Sequence, residues 1–441
     1  MTANITTVGA LAKHDFTKQA LLMRAKTKGY ELPSKFLVTQ IDPVGAQAYL
    51  NYYCPVSKQR QTIYVPKTLQ LEAMIGTEGD ELLRDWQIEK VGALGQRLSC
   101  TLGTDPEVFV VNKKGYVIPA WEYLPSKDKP IAFQYNGGDY STGTAYWDGF
   151  QAEFTTKAGV TCLLWVSDNV HIGLKTIHEK ALEVGGRLTI DNVVPVNPKV
   201  LKEAADEHVQ FGCAPSFNAY GLVGNTANGR NTPYRFAGGH LHFGIGEAKY
   251  KTTAYIERYV KALDMILGVA SVSLLGELDS PIRRRYYGLP GEYRTPAHGF
   301  EYRTLSNAWM CHPLAMNIVF DLARSVCGLA QQDLLGEWAA DQDETLEIII
   351  NNDVDKARAV LHRNKELFKR VCKVIRSSYY ETDDNLELAH KVWSNGISAI
   401  VKDPKDIVGN WDLEGGWVSH GDGPGTNWRL AYPQIKAGKK V

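Results

Sequence analysis

The sequence has no long apolar run of the kind that crosses a membrane. None of its 441 residues belongs to a stretch of about 18 consecutive apolar residues, the length that a spanning helix requires. The first residues also lack the charged start and apolar core of a secretory signal peptide. We therefore expect a cytoplasmic protein without a membrane partner.

The chain also carries no excess charge of either sign. Its 49 Lys and Arg residues balance 49 Asp and Glu residues, which argues against a general binder of nucleic acid or of anionic membranes. The hydrophobic fraction of 44% and the charged fraction of 22% are ordinary for a soluble globular enzyme. Since the length exceeds what one core usually supports, a large central domain with additions is expected.

Several familiar motifs are missing as well. The seven cysteines form no CxxC pair, which favours reduced and mostly buried thiols. There is no Gly-x-Ser-x-Gly elbow and no HExxH motif, and these absences disfavour a nucleophilic hydrolase. The Gly-rich segment NGGDYSTG lacks the Lys and the following helix of a P-loop, so it is interpreted as a turn.

Changes in the helix-like and strand-like patterns along the chain predict three structural parts. Residues 1–95 combine a helical stretch, HDFTKQALLMRAK, with two strand-like runs, SKFLVTQI and QTIYVPKTL, and suggest a small α/β segment. Residues 96–345 hold short strands and Gly-rich turns, with one helix ending at Gly185 and another beginning at Thr252 or Thr253. Residues 346–441 are predicted to be a helical extension with a Gly/Trp-rich tail.

Against these absences stand four pairs of polar residues, each spaced two apart in a strand-like run. Side chains at positions i and i+2 of a β-strand point to the same face, and the residues around these pairs are mostly apolar. If the four runs pair in one sheet, their polar faces form a single concave site. The pairs are Asp105/Glu107, Gln151/Glu153, His240/His242 and Glu301/Arg303.

The acidic pairs indicate divalent cations. Asp105 and Glu107 repel one another unless a positive charge lies between them, and Mg²⁺ or Mn²⁺ is the usual solution because hard cations take oxygen ligands. Pro106 places them at a strand start or on an edge strand. Asp148 and Glu153 belong to a second acidic run. The alternative is that all four acids face solvent.

Imidazole and guanidinium groups are further candidates for metal and anion binding. The segment GGHLHFGIG presents His240 and His242 side by side, a frequent metal-site geometry, with a hydrogen-bonded core pair as the alternative. Arg294 and Arg303 lie beside aromatic residues and near Glu301, which favours anion binding. For residues 283–285 the alternative is a solvated charge run.

Six segments in this order resemble the phage-type carboxylate–amine (COOH–NH2) ligases, which are related to glutamate–cysteine ligase and glutamine synthetase. The resemblance covers roughly residues 100–312 and rests on GTDPE, DGFQAEF, FGCAPSFNAY, RFAGGHLHFG, RRRYYGLPGEYR and GFEYRTLSNAW. It implies an α+β fold in which helices wrap a curved antiparallel sheet. It also implies that ATP and two or three Mg²⁺ ions, or Mn²⁺ in their place, bind on the concave face.

The resemblance further implies residue roles and a reaction. The implied metal ligands are Asp105, Glu107, Asp148, Glu153, His240 and Glu301. The implied nucleotide contacts are Arg235, His242, Arg285, Arg294 and Arg303, with Arg294, Glu301 and Arg303 also catalytic. The reaction would join a small-molecule or peptide carboxylate to an amine through an acyl phosphate, in the host cytoplasm if a phage encodes the chain. A homo-oligomer is left open.

Two other functional classes remain. His240, His242 and Glu247 form an H-x-H-x4-E pattern close to the metal strand of a cupin, and non-haem iron favours two His and one carboxylate. That reading leaves Asp105 and Glu301 unused. The other alternative is a binding or structural protein on a ligase scaffold, without catalysis. Tightly bound iron would favour the cupin, and Mg²⁺-dependent ATP turnover would favour the ligase.

Overall fold

The computed structural model describes thirteen stretches of the chain. These are residues 37–41, 47–53, 60–66, 100–134, 142–156, 163–209, 216–223, 229–245, 251–331, 341–374, 383–415, 417 and 434–440. The chain divides into two compact units, residues 1–94 with 328–337, and residues 95–327 with 338–441. The helix expected in HDFTKQALLMRAK lies outside the described residues, and the three-part division stays a prediction.

The smaller unit contains a three-stranded antiparallel sheet of β1 (Leu37–Ile41), β2 (Gln47–Tyr53) and β3 (Arg60–Pro66), in that order. Strand β1 falls within the first run that the sequence analysis interpreted as a strand, and β3 overlaps the second, beginning one residue earlier.

Two antiparallel sheets organise the described part of the larger unit. The first central sheet has the order β10-β5-β9-β8-β7, with β6 also paired to β5, and the second central sheet has the order β12-β15-β16-β14-β4. A short pair, β11 with β13, lies outside both. The strands are β4 (Cys100–Thr104), β5 (Glu107–Val111), β6 (Val117–Ile118), β7 (Ile131–Gln134), β8 (Thr142–Asp148), β9 (Gln151–Thr156), β10 (Arg187–Thr189), β11 (Val193–Pro195), β12 (Phe217–Asn218), β13 (Tyr234–Phe236), β14 (Leu241–Ile245), β15 (Glu292–Arg294) and β16 (Gly299–Tyr302).

The two central sheets are joined at Pro106. Strand β4 belongs to the second sheet and β5 to the first, and only Asp105 and Pro106 separate them. Proline has no backbone N–H to donate to a ladder, so pairing breaks there and the chain passes from one sheet to the other. The four polar pairs therefore lie on two sheets that share this corner, whereas the sequence suggested a single sheet.

Helices supply the rest of the described fold. The predicted helix before Gly185 is α1 (Leu163–Glu183), and the predicted long helix is α4 (Thr253–Leu263) with N-cap Thr252, continued by a π-helical turn (Asp264–Gly268) and α5 (Val269–Leu275). The others are α2 (Pro198–Glu203), α3 (Asp206–Val209), α6 (Pro281–Tyr286), α7 (Pro313–Gln331), α8 (Gln342–Asn351), α9 (Val354–Arg363), α10 (Lys365–Val374), α11 (Asp383–Asn395) and α12 (Ile407–Asn410).

The strands alternate buried apolar residues with the polar pairs. Val108 and Val110 of β5, Phe243 of β14 and Phe300 of β16 are fully buried, and the last two rings stack with centroids 4.6 Å apart. Burying each such side chain contributes about 1.5–3 kcal/mol, which fixes the register of the strands and hence the placement of the polar residues. The α+β class with antiparallel sheets and packed helices is confirmed. Within the described residues, every helix is too short or too polar to cross a bilayer.

Candidate cation-binding and catalytic site

A row of polar side chains crosses three strands of the first central sheet. Glu107 of β5 is directly opposite Glu153 of β9, which is in turn opposite Tyr146 of β8. The Tyr146 hydroxyl donates a hydrogen bond to Glu153 Oε1. Strands β8 and β9 are joined by a two-residue turn in which Gly149 has a φ of +62°, the conformation that such hairpins favour, and this turn positions Asp148.

A second row crosses three strands of the second central sheet. Glu301 of β16 is flanked by Arg294 of β15 on one side and by His242 of β14 on the other. The Arg303 guanidinium donates to Glu301 Oε1, and Arg294 Nη1 lies 3.7 Å from Glu301 Oε2. Glu301 and Arg303 thus share a face, as their i, i+2 spacing predicted.

The two rows meet at the corner between the sheets. Glu107 donates its backbone N–H to Gly238 O over 2.9 Å, and Gly238 N–H donates to Glu107 Oε2 over 2.6 Å. Across the same corner, Asp105 Oδ1 lies 2.9 Å from His242 Nε2 and 3.4 Å from His240 Nδ1. The predicted metal ligands therefore converge, and both histidines contact the same carboxylate.

Gly238 is required at this corner for steric reasons. A Cβ atom at that position would lie 2.4 Å from Nε2 of His240. The absence of a side chain allows the imidazole to lie against the backbone, while the Gly238 amide still binds Glu107. The glycines before the H-x-H motif are therefore explained by close approach.

Three carboxylates form an acidic cluster on the first sheet. One oxygen each from Glu107, Asp148 and Glu153 lies within 4.8 Å of the others. Burial and then the Asp148 carboxylate raise the pKa of Glu107 to about 7. Burial, Asp105 and Asp148 raise the pKa of Glu153 well above its ordinary value, and burial also raises the pKa of Asp148. Such mutual repulsion is what a bound cation removes.

A mixed cluster of oxygen and nitrogen ligands lies on the second sheet. Asp105, His242 and Glu301 each offer one ligand atom within 4.8 Å of the others. Burial alone would raise the pKa of Asp105, but His242 and His240 lower it below its usual value. Burial is the largest single effect and lowers the pKa of His242, but the carboxylates of Asp105 and Glu301 together raise it, and the net shift is upward. Burial and Arg303 lower the pKa of His240 to about 4.

The mixed cluster fits a metal ion on its own geometry. Asp105 Oδ1 and His242 Nε2 are buried and 2.9 Å apart, yet neither makes an aligned hydrogen bond within the described residues. Buried polar atoms without such partners are costly, and a cation would satisfy both. The three carboxylates of the acidic cluster suit a hard cation such as Mg²⁺.

Tyr287 is a site residue that the sequence analysis missed. Its hydroxyl donates to Glu107 Oε1 over 2.8 Å, lies 2.7 Å from His240 Nε2, and accepts from Arg303 Nη2 over 3.3 Å. It therefore connects the acidic cluster to the residues around the mixed cluster. The sequence signal was present, since Tyr287 lies in the segment richest in arginine, but Tyr287-Gly288 was interpreted only as a turn.

Three further side chains border the clusters, and the sequence analysis did not predict a role for them. Tyr146 binds Glu153, as described above. Lys127, whose side chain is 72% exposed, places Nζ 3.9 Å from Glu153 Oε1 and 4.8 Å from the centre of the Tyr146 ring. His298 is exposed, and its Nε2 lies 3.1 Å from His242 Nδ1. No local pattern marked them, because each arrives from a different loop or strand.

The structure places other predicted residues away from these contacts. The buried guanidinium of Arg235 donates to the carbonyls of Thr232, Tyr234 and Gly229 and covers the Phe150 ring. Arg285 is exposed on α6. The nucleotide-binding roles of these two arginines stay predictions.

Other members of the predicted set also have defined places. Gln151 donates to Phe236 O, so this partner of Glu153 holds strand β9 to the segment before β14. Arg283 donates to the carbonyls of Ala237 and Leu305. These bonds also hold the segment that precedes β14. Glu247, the acid of the cupin alternative, lies outside the described residues.

Comparison with solved structures finds similar chains at low identity. A glutamine synthetase homologue matches with 11% identity, a TM-score of 0.35, and coverage of 86% of this chain and 84% of its own. GmaS in complex with ADP matches with 12% identity, a TM-score of 0.35 and coverage of 88% and 94%. Apo GmaS matches with 10% identity, a TM-score of 0.34 and coverage of 81% and 83%. No curated protein matches the sequence.

A family model matches a continuous part of the chain that includes the second central sheet except β4 and β12. This part contains His240, His242, Arg294, Glu301 and Arg303, while Asp105, Glu107 and Glu153 precede it and are brought to them by the fold. Residues 220–413 match the family described as phage phiEco32-like COOH.NH2 ligase-type 2, and the resemblance to the carboxylate–amine ligases is thereby confirmed.

Proposed function

We propose that the protein is an ATP- and Mg²⁺-dependent ligase that joins a carboxylate to an amine through an acyl phosphate. The observation that carries this proposal is the convergence of two ligand clusters at one corner. Glu107, Asp148 and Glu153 form one cluster, and Asp105, His242 and Glu301 form the other. The family match supports the ligase class.

The chemistry of amide formation explains why such a site is needed. A carboxylate does not acylate an amine in water because its oxygen is a poor leaving group. In the proposed reaction a carboxylate oxygen of the substrate bonds to the γ-phosphorus of ATP, and ADP leaves. The amine nitrogen then bonds to the acyl carbon, inorganic phosphate leaves with the C–O electron pair, and the nitrogen loses a proton.

The chain's own residues suit this reaction. The two clusters would hold the cations, which supply charge neutralisation for the transferring phosphoryl group. Arg303 is buried, and its link to Glu301 fixes the guanidinium plane. Arg294, with a side chain 25% exposed, extends from the same row toward solvent. The two planar forks can each bind phosphoryl or carboxylate oxygens in a bidentate manner.

The substrates are proposed only as classes. A small-molecule or peptide carboxylate and an amine are what the reaction consumes. A carboxylate of the site would accept the amine proton. Since burial and neighbouring acids raise the pKa of Glu107 to about 7, such groups could take up a proton near neutral pH when no cation neutralises them.

A screen of acid and amine pairs for ADP release tests the proposal. We expect release only when ATP, Mg²⁺ and a matching pair are all present, with equal amounts of amide and ADP formed. Glu301→Gln serves as the negative control, because it removes the negative charge of the carboxylate that contacts Arg303, Arg294 and His240. Failure of ATP to bind with Mg²⁺ would contradict the proposal and favour a non-catalytic scaffold. Tightly bound iron in the purified protein would favour the cupin class.

A further inference from the structure

The Tyr287 hydroxyl contacts residues on both sides of the corner at hydrogen-bond distance through a single atom. It lies 2.8 Å from Glu107 Oε1 of the acidic cluster and 2.7 Å from His240 Nε2 beside the mixed cluster. Three chain segments thus meet at one oxygen: the end of α6, the start of β5 and the start of β14.

The ring of Tyr287 is held independently of its hydroxyl. The guanidinium carbons of Arg283 and Arg303 lie 5.1 and 5.4 Å from the ring centre. Arg283 is itself fixed by its bonds to the backbone carbonyls of Ala237 and Leu305. Cation–π contacts of this kind stabilise a ring by about 0.5–2 kcal/mol each, so a phenylalanine would keep the same place.

A count of protons assigns the state of His240. A tyrosine hydroxyl has one proton to donate, and an ionised carboxylate can only accept. With that proton given to Glu107 Oε1, the contact between Tyr287 and His240 requires a proton on Nε2 of the imidazole. An imidazole that ligates a metal ion is neutral and carries a single ring proton, so with a cation bound Nδ1 presents a lone pair.

This lone pair faces two carboxylates. His240 Nδ1 lies 3.4 Å from Asp105 Oδ1 and 3.3 Å from Glu301 Oε1. Three atoms that all carry electron pairs repel one another unless a cation lies among them. The Nε2 edge of the ring is closely packed against Gly238, where a Cβ would approach to 2.4 Å.

We propose that Tyr287 is a positioning residue: its hydroxyl fixes His240 in the tautomer whose Nδ1 faces Asp105 and Glu301, and it couples this ligand atom to Glu107. The proposal rests on the proposed function, because it assigns Tyr287 a role toward the cations of that site. It predicts that the two clusters bind cations interdependently, since one hydroxyl orients Glu107 of the acidic cluster and His240 beside the mixed cluster.

The first test is a Mn²⁺ titration, followed by electron paramagnetic resonance, of the wild-type protein, Tyr287→Phe and Tyr286→Phe. We expect Tyr287→Phe to weaken Mn²⁺ binding about 10–100-fold, as loss of an outer-sphere partner commonly does. The midpoint of thermal unfolding without metal should stay near that of the wild type, since the ring contacts remain. Tyr286, 39% exposed and stacked on Phe236, is the matched control and should bind Mn²⁺ like the wild type.

The outcomes separate the two proposals. Wild-type Mn²⁺ affinity in a folded Tyr287→Phe variant would overturn the role of Tyr287 and leave the proposed function standing. Absence of Mn²⁺ binding by the wild-type protein would overturn both.

A second measurement uses the wild-type protein and does not depend on whether a Tyr287 variant folds. Nitrogen-15 spectra of the histidine-labelled wild-type protein saturated with Mg²⁺, with His240 assigned by comparison with His240→Gln, report the protonation of each ring nitrogen. We expect Nε2 in the protonated range and Nδ1 in the unprotonated range. A proton on Nδ1, alone or together with one on Nε2, would overturn the proposal.

Discussion

Glu107 of strand β5 lies directly opposite Glu153 of strand β9, so two buried carboxylates form a cross-strand pair. Like charges at directly opposed positions destabilise a sheet. The neighbouring pair on the same two strands, Val108 and Ala152, is apolar and fully buried, as is usual in a sheet interior. Folding energy is therefore given up at this position, which is the usual mark of a functional site.

Glu107→Gln should weaken the response of the protein to Mg²⁺, because it removes one ligand of the acidic cluster. The amide keeps the size of the side chain and removes the charge, so we expect the metal-free fold to be at least as stable as the wild type. At Mg²⁺ a hundredfold above its Kd, the wild type should gain about 2.7 kcal/mol in free energy of unfolding, and the variant should gain less. Thermal unfolding with and without Mg²⁺ measures both. An unchanged Mg²⁺ response would remove Glu107 from the cation site.

Arg303→Lys should lower kcat about 10²–10³-fold, the usual effect of losing one transition-state donor. A lysine retains the charge, but it cannot bond Glu301 and Tyr287 at the same time as a planar guanidinium does. Steady-state ADP release measures the effect. The control is Arg187→Lys, an exposed residue of β10, which should not alter turnover. A mild effect at Arg303 would assign it a structural role.

Gly238→Ala should impair cation binding through His240. The new Cβ would lie 2.4 Å from the imidazole Nε2, so the ring must shift and its contact with Tyr287 must lengthen. We expect Mn²⁺ affinity to fall at least about 10-fold. Gly115→Ala is the control: a Cβ there meets nothing within 4 Å, and its φ of +81° costs only about 1–2 kcal/mol of backbone strain. Equal Mn²⁺ affinity in the two variants would contradict this account.

Asp264 should make stability depend on pH. Burial raises the pKa of Asp264 to about 7, although Tyr302 and Gly291 donate hydrogen bonds to its two oxygens over 2.6 Å. The folded state therefore holds a proton that the unfolded chain has released above about pH 4. Stability should fall as pH rises from about 4 to about 7, by up to about 4 kcal/mol from this group.

Asp264→Asn isolates that contribution. The amide has no proton to lose, so the free energy of unfolding should decline less steeply between pH 4 and pH 7 than in the wild type. Chemical denaturation at a series of pH values measures the slope. Asp355→Asn, at a side chain 97% exposed on α9, is the control and should leave the slope unchanged. A slope in Asp264→Asn equal to that of the wild type would rule out this origin.

Local sequence patterns were enough to predict which side chains share a face. Alternation in a strand required His240 with His242, and Glu301 with Arg303, to point the same way, and the structure shows both imidazoles at Asp105 and the Arg303 guanidinium at Glu301. The helix before Gly185 and the helix after Thr252 followed from apolar spacing and capping residues. These are local rules, and they act over a few residues.

The way in which these faces meet depends on long-range packing. The chain turns from one sheet into the other at Pro106, and that corner brings Glu107 to Gly238, 131 residues away in sequence. Tyr287 reaches Glu107 across 180 residues. Arg235 became a buried anchor for backbone carbonyls because the packing of Phe150 enclosed it. Such contacts depend on loop closure and packing between distant segments, and no periodicity in the sequence encodes them.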